Sequence, residues 1–402
     1  MTTPTLRDAL PIYLRIGLLS FGGPAGQIAL MQDEIVTRRA WVAPDSFQRG
    51  LNVAMLLPGP EAQQLATWLG WRLHGLWGGI AAGLAFILPG AALMILLAWI
   101  AATKGDSGPV SAIFYGIQPA VLVIVGRAVV ALARRSLPGW PHRALALAAF
   151  LALALAGLPF PLVVAAAALA GFALPRVPQP DIAPGTARGN TARIIGIGGV
   201  LTLATYLAVR LTLGRDPFDG VAELFLSAAF VSFGGAYALL PYVADRAVET
   251  YGWLTAEQML NGLAIAEATP GPLILVNVYA GFFAGHTGGA SGVLTASLAC
   301  FYTFVPSFVL ILAAAPHVET LQRQHWIRQA LAGVSAAVVG VVLNLAVYLA
   351  EAALFPDGTL DGLKLGLLAL FALVTWSLRP SVLTLVGGGA ATGLALWLAG
   401  AI

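Results

Sequence analysis

Apolar runs cover most of this 402-residue chain, and glycine and proline break them more often than charge does. Residues 6–20 form one run, which stops at Phe21-Gly22-Gly23-Pro24; a second run continues to Val36. The pattern repeats at 45–57 and 60–74, around Leu57-Pro58-Gly59-Pro60. Each leg would span roughly 20 Å at about 1.5 Å per residue, short of a hydrocarbon core about 30 Å thick. Hairpins 6–38 and 45–75 are therefore expected to enter the membrane and turn back, with their Gly/Pro tips deep in the protein. Two ordinary kinked spans are the alternative. Longer apolar segments predict spans at 77–102, 110–133, 194–212, 290–314 and 330–350, with a pair of short spans at 143–157 and 159–175 and two final spans. The expected fold class is an all-α polytopic membrane protein.

The second half repeats the first at an offset of 212 residues. Ser20-Phe21-Gly22-Gly23 returns as Ser232-Phe233-Gly234-Gly235, and Pro58-Gly59-Pro60 as Pro270-Gly271-Pro272. Asp33 pairs with Asp245, Trp41 with Trp253 and His74 with His286. Thirteen of the 41 positions from 20 to 60 are identical without a gap, and apolar composition alone would not place these residue types in register. After a five-residue shift, Gly116 matches Gly333 and Arg127 matches Asn344. Such duplication is a common transporter plan. The expected organisation is a first half at 1–175, a linker and inverting helix at 176–217, and a second half at 218–402.

Basic residues set the orientation of membrane helices. With the N-terminus inside, the loops holding Arg38-Arg39, Arg134-Arg135 and Arg323-Arg328 fall on the cytoplasmic side, as does the linker 176–193. The helix at 194–212 then starts the second half on the opposite side, and its loop 250–256 carries no Lys or Arg. The expectation is two inverted-topology halves with paired broken or re-entrant hairpins.

Composition narrows the class. Of all residues, 59% are hydrophobic and 10% charged, against about 25% charged in soluble domains. The N-terminus lacks the features of a cleaved signal peptide, so the first apolar segment is expected to stay. Cys300 is the single cysteine, which excludes an internal disulfide and a thiolate metal cluster. The net charge is +3, with no basic tract for nucleic acid. No phosphate-binding loop, zinc-protease motif or nucleophile elbow appears. The expectation is no enzyme, no catalytic residue, no metal and no cofactor.

Irregular backbone is tolerated in a membrane only where it is buried in protein or lines a cavity. Four such places are expected, at 21–24, 57–60, 233–236 and 269–272, each followed by a helical leg. Pro24, Pro60 and Pro272 stand where the first helical residue should fall, a position proline favours. Free N–H groups at helix N-termini attract anions, and glycine lets a ligand approach the backbone. Tight turns with no ligand are the alternative reading. Candidate binding residues are Phe21, Gly22, Gly23, Pro24, Pro58, Gly59, Pro60, Ser232, Phe233, Gly234, Gly235, Thr269, Pro270, Gly271, Pro272 and Asn277. Arg127 and its repeat mate Asn344 join them, because guanidinium suits a tetrahedral oxyanion; a structural role for Arg127 weighs equally. Glu61 and Glu267 flank the two Pro-Gly-Pro tips as candidate proton carriers or helix caps. Asp33 and Asp245 read as interfacial caps, and His74 and His286 as interfacial.

These motifs, Ser-Phe-Gly-Gly-Pro at 20–24, Leu-Pro-Gly-Pro at 57–60, Phe-Ile-Leu-Pro-Gly at 86–90, Val-Ser-Phe-Gly-Gly-Ala-Tyr at 231–237, Glu-Ala-Thr-Pro-Gly-Pro at 267–272 and Ala-Ala-Val-Val-Gly-Val-Val-Leu-Asn-Leu-Ala at 336–346, give the chain its likeness. It resembles the chromate ion transporter (CHR) superfamily in its long, two-domain form, over nearly its whole length. The resemblance implies efflux of chromate across the bacterial inner membrane, conferring chromate resistance, with sulfate as a similar anion. A transporter of another small anion and an intramembrane enzyme are the rival readings. Expected partners are a small oxyanion and the lipid bilayer, with a homodimer left open and no nucleic acid.

Overall fold

The computed structural model describes residues 4–21, 23–175, 190–233, 235–317, 321 and 324–402. Among them every regular element is helical. The first hairpin pairs α1 (Leu6–Leu19) with α2 (Gly23–Met31), and α2 continues as a π-helical stretch over Gln32–Arg38. α1 begins where the Thr5 hydroxyl accepts from the Asp8 N–H and stops at Ser20. α3 (Pro44–Ala54) then leads through Met55–Pro60 into α4 (Glu61–Lys104). The expected leg 60–74 and span 77–102 are both parts of α4, separated only by non-helical His74 and Gly75. His74 Nε2 lies 2.8 Å from the Pro4 carbonyl, tying the chain start to this break.

α5 (Gly108–Ser136), α6 (Trp140–Ala154) and α7 (Phe160–Ala170) complete the first half. Most of the expected linker, residues 176–189, lies outside the described residues. α8 (Thr191–Leu213) follows, packed on α13 and α9 with apolar residues outward on its other sides; only Gly198 is buried, against Val309. A helix apolar all round and exposed in the protein suits lipid contact.

The second half repeats the plan. α9 (Phe218–Val231) breaks at Ser232 into α10 (Ala236–Ala244), which also continues as a π-helical stretch, Asp245–Thr250. α11 (Ala256–Ala268) leads through Thr269–Pro272 to a 3-10 turn and α12 (Val276–Thr287). α13 (Gly292–Ala314), α14 (His325–Leu354), α15 (Gly362–Leu378) and α16 (Val382–Leu398) close the chain. Among the described residues, five helices are long and apolar enough to cross a membrane: α4, α5, α8, α13 with its 3-10 extension, and α14. The chain is a multi-pass helical membrane protein.

The halves are interlocked. α15 and α16 of the second half pack on α5 of the first, while α6 and α7 of the first pack on α14 of the second. Small residues permit the close approach. A Cβ at Gly116 would strike the Gly389 carbonyl and lie 2.7 Å from Gly393 Cα; one at Gly340 would strike the Ala146 carbonyl. The expected division at 1–175 and 218–402 thus follows the repeat, but the two segments share one packed body.

Candidate functional site: the four helix breaks

Ser20 and Ser232 are fully buried and end α1 and α9. Their carbonyls are taken crosswise: Gly59 N–H donates to Ser232 O at 2.9 Å, and Gly271 N–H to Ser20 O at 3.0 Å. Each Pro-Gly-Pro break therefore pairs with the Phe-Gly-Gly break of the other half. Buried Gln27 reinforces one pair, its Nε2 donating to Gly271 O at 2.6 Å. Gln64 Nε2 donates to Pro58 O at 2.7 Å beside the other.

Backing residues are exchanged too. Gly90 of α4 abuts the Pro270 carbonyl, and a Cβ there would strike it. Ser307 of α13 stands behind Gly59; its Oγ donates to Gln63 Oε1 at 2.6 Å, and Gln63 Nε2 donates to Thr67 Oγ1 at 2.9 Å. Gln63, Thr67 and Ser307 are all buried.

Helix starts follow each break. The expected proline positions shift slightly: α2 starts at Gly23, ahead of Pro24, while Pro60 and Pro272 are N-caps rather than first helical residues. Such differences of one residue are within the natural ambiguity of helix ends. Gly235, with φ 99°, is the N-cap of α10. No side chain caps α4, α10 or the 3-10 turn before α12, so their first N–H groups have no side-chain acceptor. Ser232 Oγ, Asn277 Oδ1, Gln27 Oε1 and Gln64 Oε1 are buried without a hydrogen-bond partner among the described residues. Buried polar atoms normally find partners, so this cluster of donors and acceptors is suited to a polar ligand.

Of the expected residues, Gly59 meets Ser232, Gly271 meets Ser20 and Pro270 abuts Gly90. Gly22 and Gly234 lie outside the described residues. Asn277 sits one residue into α12, fully buried, donating to Thr303 Oγ1 at 3.1 Å. Arg127 is exposed and donates to the Pro380 carbonyl at 3.1 Å. Asn344 lines a separate cavity of about 480 Å³ with Tyr242, Asp245 and Arg246, so the two repeat mates do not share a site.

Glu61 and Glu267 differ in setting. Glu267 is buried and accepts a hydrogen bond from the Tyr237 hydroxyl, which links the fourth break to the third. Glu61 opens α4 and lines a small pocket of about 70 Å³ with Met55, Arg135 and Ser335. Asp33 and Asp245 stand in the first turns of the two π-helical stretches, and Asp245 is also the C-cap residue of α10. Asp33 pairs with Arg38 at 2.8 Å, and Asp245 opens the second π-helical stretch. Beside Asp33, buried Glu34 binds Arg38 and Arg39.

Sequence reasoning missed Gln27, Gln63, Gln64, Tyr237 and Ser307. A signal existed for the glutamines, polar residues within apolar legs. Pro306 repeats Pro89 at the shifted offset of 217, which sets Ser307 at the place of Gly90.

Paired helix breaks buried between two repeated halves of a multi-pass helical protein are a plan that membrane transport proteins use. The model of the chromate transporter family matches residues 8–172 and 220–394, and the chain belongs to that family. It is 30% identical over 395 residues to the chromate transport protein of Pseudomonas aeruginosa, covering 96% of this chain and 90% of that one. A probable chromate transport protein of Synechococcus elongatus is 28% identical, over 93% and 91% of the two chains. The chromate transport protein of Cupriavidus metallidurans is 28% identical, over 98% and 93%. These relatives are named transport proteins, not enzymes. No solved structure matches the chain.

Proposed function

We propose that the chain is a secondary transporter that exports chromate across the bacterial inner membrane and so confers chromate resistance. Sulfate, of the same charge and shape, is the competing substrate. The observation that carries this reading is the crosswise pair of hydrogen bonds, Gly59 to Ser232 and Gly271 to Ser20, which gathers four helix breaks from two halves. Helix N-termini without side-chain caps and the unpartnered Ser232 hydroxyl supply donors for a small oxyanion. The hairpins are re-entrant and the halves inverted in this reading. The legs support it: α1 has 14 residues and α3 has 11, each short of the roughly 20 needed to cross.

Arg127 is the candidate fixed positive charge, and Glu267 and Glu61 are the candidate proton carriers. Export of a dianion is also favoured by an inside-negative potential, by about 2.3 kcal/mol per charge per 100 mV. The test is radiolabelled chromate flux in proteoliposomes, with pH gradient and potential imposed separately and sulfate as competitor. Chromate flux driven by either gradient, without ATP, is expected. No chromate flux under either gradient would overturn the reading.

A further inference from the structure

Two cavities meet where α4 breaks at His74 and Gly75. One is polar, with a volume of about 450 Å³, and Ser46 of α3 and Trp68, Trp71 and Arg72 of α4 are in its lining. The other is an apolar groove of about 370 Å³ between α4, α8 and α13. Their linings adjoin along two elements. Gly75 lines the polar cavity and Leu76 the groove. Leu312 of α13 lines the groove, while Ala315 and Pro316, three and four residues on and so on the same face, line the polar cavity.

The groove follows from residue spacing. Leu76, Ile80 and Leu84 recur at every fourth position of α4, and Ile194, Ile197 and Leu201 hold one face of α8. On α13, Phe301, Val305, Phe308 and Leu312 do the same. Every residue in the lining is apolar. Gly198 lets α8 close on α13, since a Cβ there would lie 2.2 Å from Val309 Cγ2. From Phe301 to Leu312 the α13 face runs about 16 Å at about 1.5 Å per residue, close to one leaflet of a hydrocarbon core about 30 Å thick. α8 stands outside the repeat, so the groove has no mate in the other half.

Charge and tryptophan gather at one end of it. Arg72 of α4 and Arg193 in the first turn of α8 are exposed, and neither has an ion-pair partner among the described residues. Thr191 ties the start of α8 to the end of α13: its Oγ1 donates to the Ala313 carbonyl at 3.1 Å and lies 2.8 Å from His317 Nε2. Trp71 lines the polar cavity, and Trp77, just past the break in α4, is 73% exposed. Tryptophan concentrates at the membrane–water interface, which sets the junction of the two cavities at headgroup depth. Trp68, 3% exposed in the polar wall, has an indole nitrogen with no hydrogen-bond partner among the described residues.

We propose that the paired cavities bind one anionic phospholipid, with its phosphate at the Arg72 and Arg193 end and an acyl chain in the groove between α4, α8 and α13. Basic pockets between membrane helices favour anionic headgroups, and arginine and the indole N–H both donate to phosphate oxygens. A free oxyanion would use the polar cavity and leave the groove empty. A zwitterionic lipid would fill the groove and bring no net charge to the arginines.

The test uses the purified full chain, stripped of lipid by detergent exchange. Binding of phosphatidylglycerol, phosphatidylcholine and inorganic phosphate is followed by native mass spectrometry and by the shift in Tm. One phosphatidylglycerol per chain is expected, held about tenfold more tightly than phosphatidylcholine, with a raised Tm that inorganic phosphate does not reproduce. R72Q and R193Q should each weaken phosphatidylglycerol binding about fivefold, the loss of one cation beside a headgroup, and leave phosphatidylcholine binding unchanged. Ile80→Trp and Ile197→Trp fill the groove and should weaken both lipids, whereas Leu373→Trp, on an exposed position of α15, should bind as wild type. Size-exclusion elution verifies that each variant is folded. Because Arg72 and Arg193 are exposed, their variants decide the matter if a groove substitution does not fold. Equal affinity for the two lipids, unchanged phosphatidylglycerol binding in both arginine variants, a Tm shift matched by inorganic phosphate, or unchanged lipid binding in folded groove variants would each overturn the proposal.

Discussion

Gly59 and Gly271 hold φ of 124° and 102°, conformations that a residue with a Cβ adopts only under strain. Space is closed there as well. A Cβ on Gly59 would lie 2.6 Å from Gln64 Nε2 and 2.7 Å from Ser307 Oγ, and one on Gly271 would lie 2.8 Å from Leu275 Cδ1. The glycine and proline positions were legible in sequence because their backbone requirements are local. The partners were not: Tyr237 meets Glu267 across 30 residues, and Ser307 meets Gln63 across 244, distances over which a single sequence carries no pairing signal. Met55 occupies the first-half place of Glu267, and Arg135 donates to its sulfur at 3.3 Å. The acid–hydroxyl pair is thus particular to the second half. If Glu267 carries the coupled proton, Glu267→Gln will retain chromate flux at low pH and lose its dependence on pH, and Tyr237→Phe will move the midpoint of that dependence. Flux against pH in proteoliposomes checks both; a wild-type profile in each variant makes the pair a structural tie.

At the scale of elements, apolar length located the helices well. The expected spans at 110–133, 194–212 and 290–314 correspond to Gly108–Ser136, Thr191–Leu213 and Gly292–Ala314. Less legible were the joints. The first hairpin leg of α4 runs into a long span with only His74 and Gly75 out of helical geometry, because one glycine at φ 65° can redirect a helix without ending it. The π-helical stretches Gln32–Arg38 and Asp245–Thr250 had no sequence signal, yet they recur at matching places in the two halves. If the halves are inverted, the loops after these stretches face opposite sides. Single cysteines placed in 38–44 and in 250–256, on a Cys300→Ser background, should react with an impermeant thiol reagent from opposite faces of the membrane. Reaction of both from one face would rule out inversion.

For the whole molecule, the repeat announced two halves but not their exchange. α5 packs on α14, α15 and α16 of the second half, and α14 packs on α5, α6 and α7 of the first as well as on α10 and α11 of its own, just as each Pro-Gly-Pro break bonds the opposite Phe-Gly-Gly break. Periodicity within one chain cannot tell whether repeats pack beside or through each other. Interlocking places the breaks on the seam between halves, where relative movement would change access to them. Central to this account is passage of the oxyanion among those breaks. Its most direct test is chromate flux in proteoliposomes carrying equal amounts of wild-type, Gly59→Ala or Gly271→Ala protein, each verified as folded by size-exclusion elution. The account predicts gradient-driven flux in the wild type and flux at the level of empty liposomes in both variants. Wild-type flux in both variants would contradict it.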